Sequence, residues 1–298
     1  MPTLKSLLQT QKPILLDGAM GTMLMDQGLE SGDPPEEWNL IHPERIREVH
    51  QQYIQAGSQI ILTNSFGGTP QRLAMHHLDD QVFEINQAAA EIARAAADDA
   101  PHPVLVAGSM GPTGQLLEPV GEMSFKEAQS AFAEQASGLA AGGVDLFWIE
   151  TMSDLQEVRA AVSGIRSASN LPISATMSFD SHGHTMMGIS PTAAVETLGQ
   201  LDISLMGANC GTGSDELIEA IAAMKKSGPD LPLVAKANAG IPQVEGGDVV
   251  YNGTPELMAD YAREACRQGA SLIGGCCGSS PEHIKAMADA LADLKKET

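Results

Sequence analysis

The stretch LFWIETMSDLQEVRAAVSGIRSASNLPISATM, residues 146–177, decides the fold. It opens on an unbroken apolar run, Leu146–Ile149, and passes through Glu150 and Thr151. A helix-length segment follows at Ser153–Ser167, and a second run, Ile173–Met177, closes it. Continuous apolar runs without alternation suit strands buried on both faces of a parallel sheet, and a helix between two of them supplies the crossover. The unit recurs in both directions. Further runs stand at Ile14–Leu16, Ile60–Thr63, Val104–Ala107, Leu205–Ala208, Leu233–Lys236 and Leu272–Gly274, giving eight in all. Helical spacing of Ala, Leu, Ile and Val is predicted over Pro43–Ala56, Asp80–Ala97, Ser124–Ala141, Ser153–Ser167, Pro191–Leu201, Ser214–Lys226, Pro255–Gln268 and Pro281–Lys295. Ser124, Ser153, Ser214, Thr254 and Ser280 stand where N-cap hydroxyls are expected, with Pro255 and Pro281 at the first helical position. Eight strand–helix units in strict alternation predict a (β/α)8 TIM barrel, whereas doubly wound open sheets have fewer strands.

Nothing in the chain of 298 residues divides it. No low-complexity or Pro/Ser-rich hinge interrupts the alternation, so one domain is expected over residues 1–298. With 17 Lys and Arg against 38 Asp and Glu, the formal charge of −21 speaks against nucleic acid, whose binders need basic stripes. No apolar stretch approaches the roughly 18 residues of a membrane span, and the N-terminus lacks a signal-peptide core, so a soluble cytoplasmic protein without membrane contact is expected. Four cysteines, two of them adjacent, do not make a secreted disulfide framework, and reduced thiols are expected. A homo-oligomer is left open.

In such a barrel the functional groups sit at the carboxyl ends of the strands. The residues just after the eight runs include Asp17-Gly18, Asn64, Ser109, Glu150-Thr151, Ser178, Asn209-Cys210, Asn238 and Cys276-Cys277. Polar groups converging there need a ligand, a metal or a dense hydrogen-bond network. Cys210 follows strand six and Cys276 with Cys277 follows strand eight, so three thiols can meet across the rim. Three soft thiolates with one open position select Zn²⁺ in a catalytic arrangement. A metal-held thiol is deprotonated, and a site with three anionic ligands activates a thiolate better than it polarises a carbonyl, which points to alkyl transfer onto sulfur. Cys266, within a predicted helix, reads as packing, and His182 with His184 as solvated loop residues. Glu150 needs a cation: either the amino group of a thiol-bearing ligand or a salt bridge to a residue such as Lys236. Asp17 begins a Gly-rich turn able to point amides at a carboxylate. Asp17 and Glu150 are the candidate catalytic residues, and Asp17, Gly18, Ala19, Trp38, Glu150, Asn209 and Asn238 the candidate substrate contacts. Trp38 either lies over a quaternary ammonium or packs on the barrel.

The segments LDGAMGT (16–22), ILTNSFGGT (61–69), GSMGPTG (108–114), WIET (148–151), GANCG (207–211), KANAG (236–240) and GGCCG (274–278) closely resemble the homocysteine S-methyltransferase family, nearly end to end. The resemblance implies a zinc barrel with Cys210, Cys276 and Cys277 as ligands, Glu150 holding the homocysteine amino group and the Asp17-Gly18-Ala19 turn its carboxylate. Asn238 would occupy the fourth zinc position without substrate. The implied partners are homocysteine and a small cationic methyl donor, with betaine the first choice. Dimethylsulfoniopropionate, S-methylmethionine and a corrinoid-dependent system are the alternatives. The family's betaine enzymes carry tyrosines where this chain has Gly67 and Thr151.

Overall fold

The computed structural model describes residues 3–10, 13–245 and 248–297. Its strands are β1 (Ile14–Leu15), β2 (Ile60–Leu62), β3 (Leu105–Met110), β4 (Leu146–Met152), β5 (Ile173–Met177), β6 (Leu205–Asn209), β7 (Leu233–Ala237), β8 (Pro242–Glu245), β9 (Asp248–Tyr251) and β10 (Ala270–Gly275). Eight of them form one parallel sheet in the order β1-β10-β7-β6-β5-β4-β3-β2. A parallel bridge from Leu16 to Ile60 joins the two ends, and the Gln59 N–H donates to the Leu15 carbonyl at 2.8 Å. The sheet therefore returns on itself as the expected TIM barrel, with β8 and β9 as an antiparallel hairpin outside it.

The period of two along each strand sorts the side chains. Val106, Phe147, Ile149, Ala175 and Met206 pack outward with the helices, while Ile14, Ile60, Leu105, Leu146, Trp148 and Leu272 fill the interior. A short helix not expected from the sequence, Leu4–Thr10, adds Leu4 and Leu7 to that interior cluster and so plugs the amino-terminal end of the barrel. Ser124 forms a capping box with Glu127, and the Thr254 side chain caps its helix by accepting the Leu257 N–H. Ser153 and Ser214 do not cap. Asp154 takes the first position because its carboxylate accepts the Gln156 N–H at 2.8 Å, and Gly213 precedes a helix that already includes Ser214. At Ser280 the backbone N–H donates to His283 Nδ1 at 3.0 Å, an imidazole standing in for the usual acceptor. No helix among the described residues is long and apolar enough to cross a membrane.

Candidate metal centre

The inward positions change character toward the carboxyl end of the strands. Above Trp148 on β4 comes Glu150, above Val234 on β7 comes Lys236, and Ser109, Thr176 and Asn209 complete a buried polar layer. Over this layer lie the three cysteine sulfurs. Cys210 follows β6 and Cys276-Cys277 follow β10, and in the sheet order β7 lies between them. The end of β7 ties both loops down. Cys210 N–H donates to the Lys236 carbonyl at 3.0 Å and Cys276 N–H to the Ala237 carbonyl at 2.7 Å. The Asn238 carboxamide accepts the Cys277 N–H at 3.1 Å and donates to the Gly211 carbonyl at 2.8 Å. Cys210 is held at φ +59° and Gly211 at φ +85°, which turns the chain sharply at the strand end.

Cys210 Sγ stands 3.0 Å from Cys276 Sγ and 3.9 Å from Cys277 Sγ, and all three lie within 4.8 Å of one another. A tetrahedral zinc with bonds of about 2.3 Å sets its sulfurs roughly 3.8 Å apart, so the donor set and its spacing suit that ion. Without a metal the trio shares its protons. Hydrogen bonds from Cys210 and Cys276 pull the Cys277 thiol down to about 3, and Cys210 is pushed up by donating to its neighbours. Cys276 gains from its bond with Cys210, but donation to Cys277 and burial carry it up to about 12.

Glu150 is buried and accepts from Ser109 Oγ at 2.5 Å. Burial, opposed by Lys236 and reinforced by Cys276, pushes its carboxyl up to about 7. Among the described residues no cation lies within ion-pair distance of it, because Lys236 bonds Asp17 at 3.1 Å instead. Asp17 and Glu150 together outweigh the desolvation of Lys236 and raise its pKa, which keeps it an ammonium.

Several expected contacts are already engaged. Asp17, expected as a catalytic residue, has both oxygens committed: one takes the Leu62 N–H at 2.6 Å and the other Lys236, so its carboxylate is a tie between β1, β2 and β7. Ala19 donates its N–H to the Ser279 carbonyl at 3.0 Å and accepts from the Tyr53 hydroxyl at 2.7 Å, so neither backbone group is open. Gly18 N–H has no partner among the described residues. A Cβ at Gly18 would stand 2.5 Å from the Ser279 carbonyl and 2.9 Å from the Tyr53 hydroxyl, so only glycine lets the turn approach the Cys276-Cys277 loop. Trp38 is not an open wall for an ammonium. It is buried at 7% exposure, with the Arg45 guanidinium 4.8 Å above its ring and His42 edge-on at 5.0 Å. That face already carries a cation of the chain itself.

Asn209 is likewise taken up by its own chain rather than turned to a ligand. Its Oδ1 accepts the Thr151 N–H at 2.8 Å and the Thr176 hydroxyl at 2.6 Å, while its Nδ2 donates to Thr151 Oγ1 at 2.7 Å and stands 3.9 Å from Cys276 Sγ. Asn238 keeps one N–H and one lone pair beyond its two bonds. His182 and His184 are exposed on a turn, and Cys266 packs against the helical layer. The sequence reading missed Tyr251. It ends the hairpin, a Cβ on Gly278 would stand 2.3 Å from its own Cβ and 2.4 Å from the first atom of its ring, and its side chain helps hold the Cys277 thiol pKa down. The runs PQVE and DVVY, two residues apart, are the signal that could have found it.

The chain as a whole is similar to known proteins. A model of the homocysteine S-methyltransferase family matches residues 14–291. The chain belongs to that family. A methionine synthase of Mycobacterium leprae is 32% identical over 95% of this chain, and one of Mycobacterium tuberculosis 31% identical over 96%. The chain spans 24% and 25% of their lengths, about a quarter of each. The homocysteine methyltransferase MmuM of Escherichia coli, solved in oxidised and metallated forms, superposes with TM-scores of 0.82 and 0.81 at 28% identity. The match covers 97% and 96% of this chain and 99% of that one.

Proposed function

We propose that the protein is a zinc-dependent homocysteine S-methyltransferase that moves a methyl group from a small cationic donor to homocysteine, giving methionine. The observation that carries the reading is the trio of cysteine sulfurs, within 4.8 Å of one another, in the same barrel mouth as a buried carboxylate with no cation at ion-pair distance among the described residues. Cys210, Cys276 and Cys277 would hold the zinc. Zinc held by three thiolates supplies a Lewis-acidic position at which an added thiol stays deprotonated near neutral pH.

The chain's own residues then place the acceptor. Glu150 receives its ammonium, which supplies the missing counter-charge in the buried layer. The Gly18 N–H receives its carboxylate, and Asn238 holds the two cysteine loops at a fixed separation. With amino group, carboxylate and sulfur fixed, the sulfur faces the donor methyl in line. The new carbon–sulfur bond forms as the donor's bond to that carbon breaks, and the bonding pair leaves with the demethylated donor.

Betaine is a donor of the right charge, but Trp38 does not offer it a cage. We therefore place a dimethylsulfonium donor, S-methylmethionine or dimethylsulfoniopropionate, ahead of betaine, since a sulfonium leaves without that help. The chain covers a quarter of the methionine synthases it matches, and the second reading is that the methyl arrives on a separate corrinoid protein. Purified zinc-loaded protein assayed with homocysteine and each donor tests both. Methionine from a sulfonium alone supports the first reading, methionine only when a corrinoid protein is supplied supports the second, and none under any condition overturns the activity.

A further inference from the structure

Strand β4 carries one residue more than its partner allows. Its pairing with β5 runs Ile149 to Ala175 and then Met152 to Met177, so Glu150 and Thr151 together face the single residue Thr176. Such a bulge re-aims a side chain at the end of a strand. The turn is made at Thr151, which holds φ +60°, a left-handed conformation that a β-branched residue adopts only when its surroundings impose it. What imposes it is Asn209 on β6, two strands away. The Asn209 carboxamide grips Thr151 twice, taking its N–H at 2.8 Å and donating to its hydroxyl at 2.7 Å. Thr176, the residue facing the bulge, fixes the same carboxamide by donating its hydroxyl to Oδ1 at 2.6 Å.

Resting on the function proposed above, we infer that Asn209 is a positioning residue for homocysteine: it acts through Thr151 and sets the aim of Glu150. It stands next in sequence to Cys210 and next in space to the residue after Glu150, so one side chain links the sulfur site to the ammonium site. Nothing else on the described β4 end grips the Thr151 side chain. Without Asn209 the strained turn relaxes, Glu150 swings from the ammonium position, and the zinc site is left with its three ligands.

The test uses zinc-loaded full-length protein, with homocysteine affinity read by calorimetry without methyl donor and zinc content read separately. Asn209→Ala should weaken homocysteine roughly tenfold while the protein keeps its zinc. Adding Thr151→Gly to that variant should recover most of the loss, since glycine holds φ +60° without a clamp. Thr151→Val, which keeps Asn209 and removes the hydroxyl, should weaken homocysteine about threefold and stands in if Asn209→Ala does not fold. An Asn209→Ala protein with unchanged affinity, or a loss that glycine at 151 does not repair, overturns the inference and leaves the proposed function standing. A parent protein that holds zinc but does not bind homocysteine overturns both.

Discussion

The two ends of the same eight strands are built on opposite principles. At the amino-terminal end Ile14, Ile60, Leu105 and Leu146 meet Leu4 and Leu7 in a dry apolar plug. At the carboxyl end the same inward rows present Asp17, Ser109, Glu150, Thr176, Asn209 and Lys236, buried almost as completely. The plug gains stability from area removed from water, about 25 cal/mol per Å². The mouth gains little, because burying charge costs several kcal/mol per ion and pairing roughly restores it. What the mouth gains is a set of partners with one member missing: Lys236 has Asp17, Asn209 has Thr151, and among the described residues Glu150 has Ser109 but no cation.

This contrast can be broken at either end. Lys236→Met leaves Asp17 as an unpaired buried carboxylate and should cost about 3–5 kcal/mol, read by urea unfolding. Glu150→Gln should act in the other direction. The folded-state pKa of Glu150, about 7, lies above its ordinary 4.5, so its contribution to stability is intact below 4.5 and is lost as pH rises through 7. Metal-free Glu150→Gln protein should then be more stable than its parent above pH 7 by up to about 3 kcal/mol, with the gap closing below pH 4.5. Its homocysteine affinity should fall while its zinc content holds. Leu7→Ala opens a cavity in the plug and should cost about 2–3 kcal/mol without changing metal uptake. Cys277→Ala should abolish zinc binding while the protein stays folded, because this half-buried thiol lies at the barrel mouth and not in the apolar core. Circular dichroism with metal analysis checks that pair of outcomes.

The legibility of the sequence follows the same division. The eight strands could be read because burial on both faces leaves an unbroken apolar run. Their carboxyl ends could not: β3 runs on through Gly108-Ser109-Met110 and β4 through Glu150-Thr151-Met152, where Ser109, Glu150 and Thr151 are polar residues that stay in the sheet. The cysteines were legible because each follows a strand and is flanked by glycine. The engagement of Asp17, Asn209 and Ala19 was not, since it depends on partners between 33 and 260 residues away along the chain. Trp38 was open to two readings, a wall for a quaternary ammonium or packing on the barrel, and the choice rests on Arg45 covering its ring, two turns further along the helical segment. The hairpin ending in Tyr251 had its signal in the sequence, but the strict strand–helix alternation drew attention away from it.

The central claim is that Cys210, Cys276 and Cys277 hold one zinc ion and leave a place for the sulfur of homocysteine. X-ray absorption at the zinc edge, on loaded protein before and after homocysteine is added, tests it most directly. The account predicts three sulfur ligands and one lighter atom before, and four sulfurs after. A protein that takes up no zinc, or whose zinc keeps the same ligands when homocysteine is present, would contradict it.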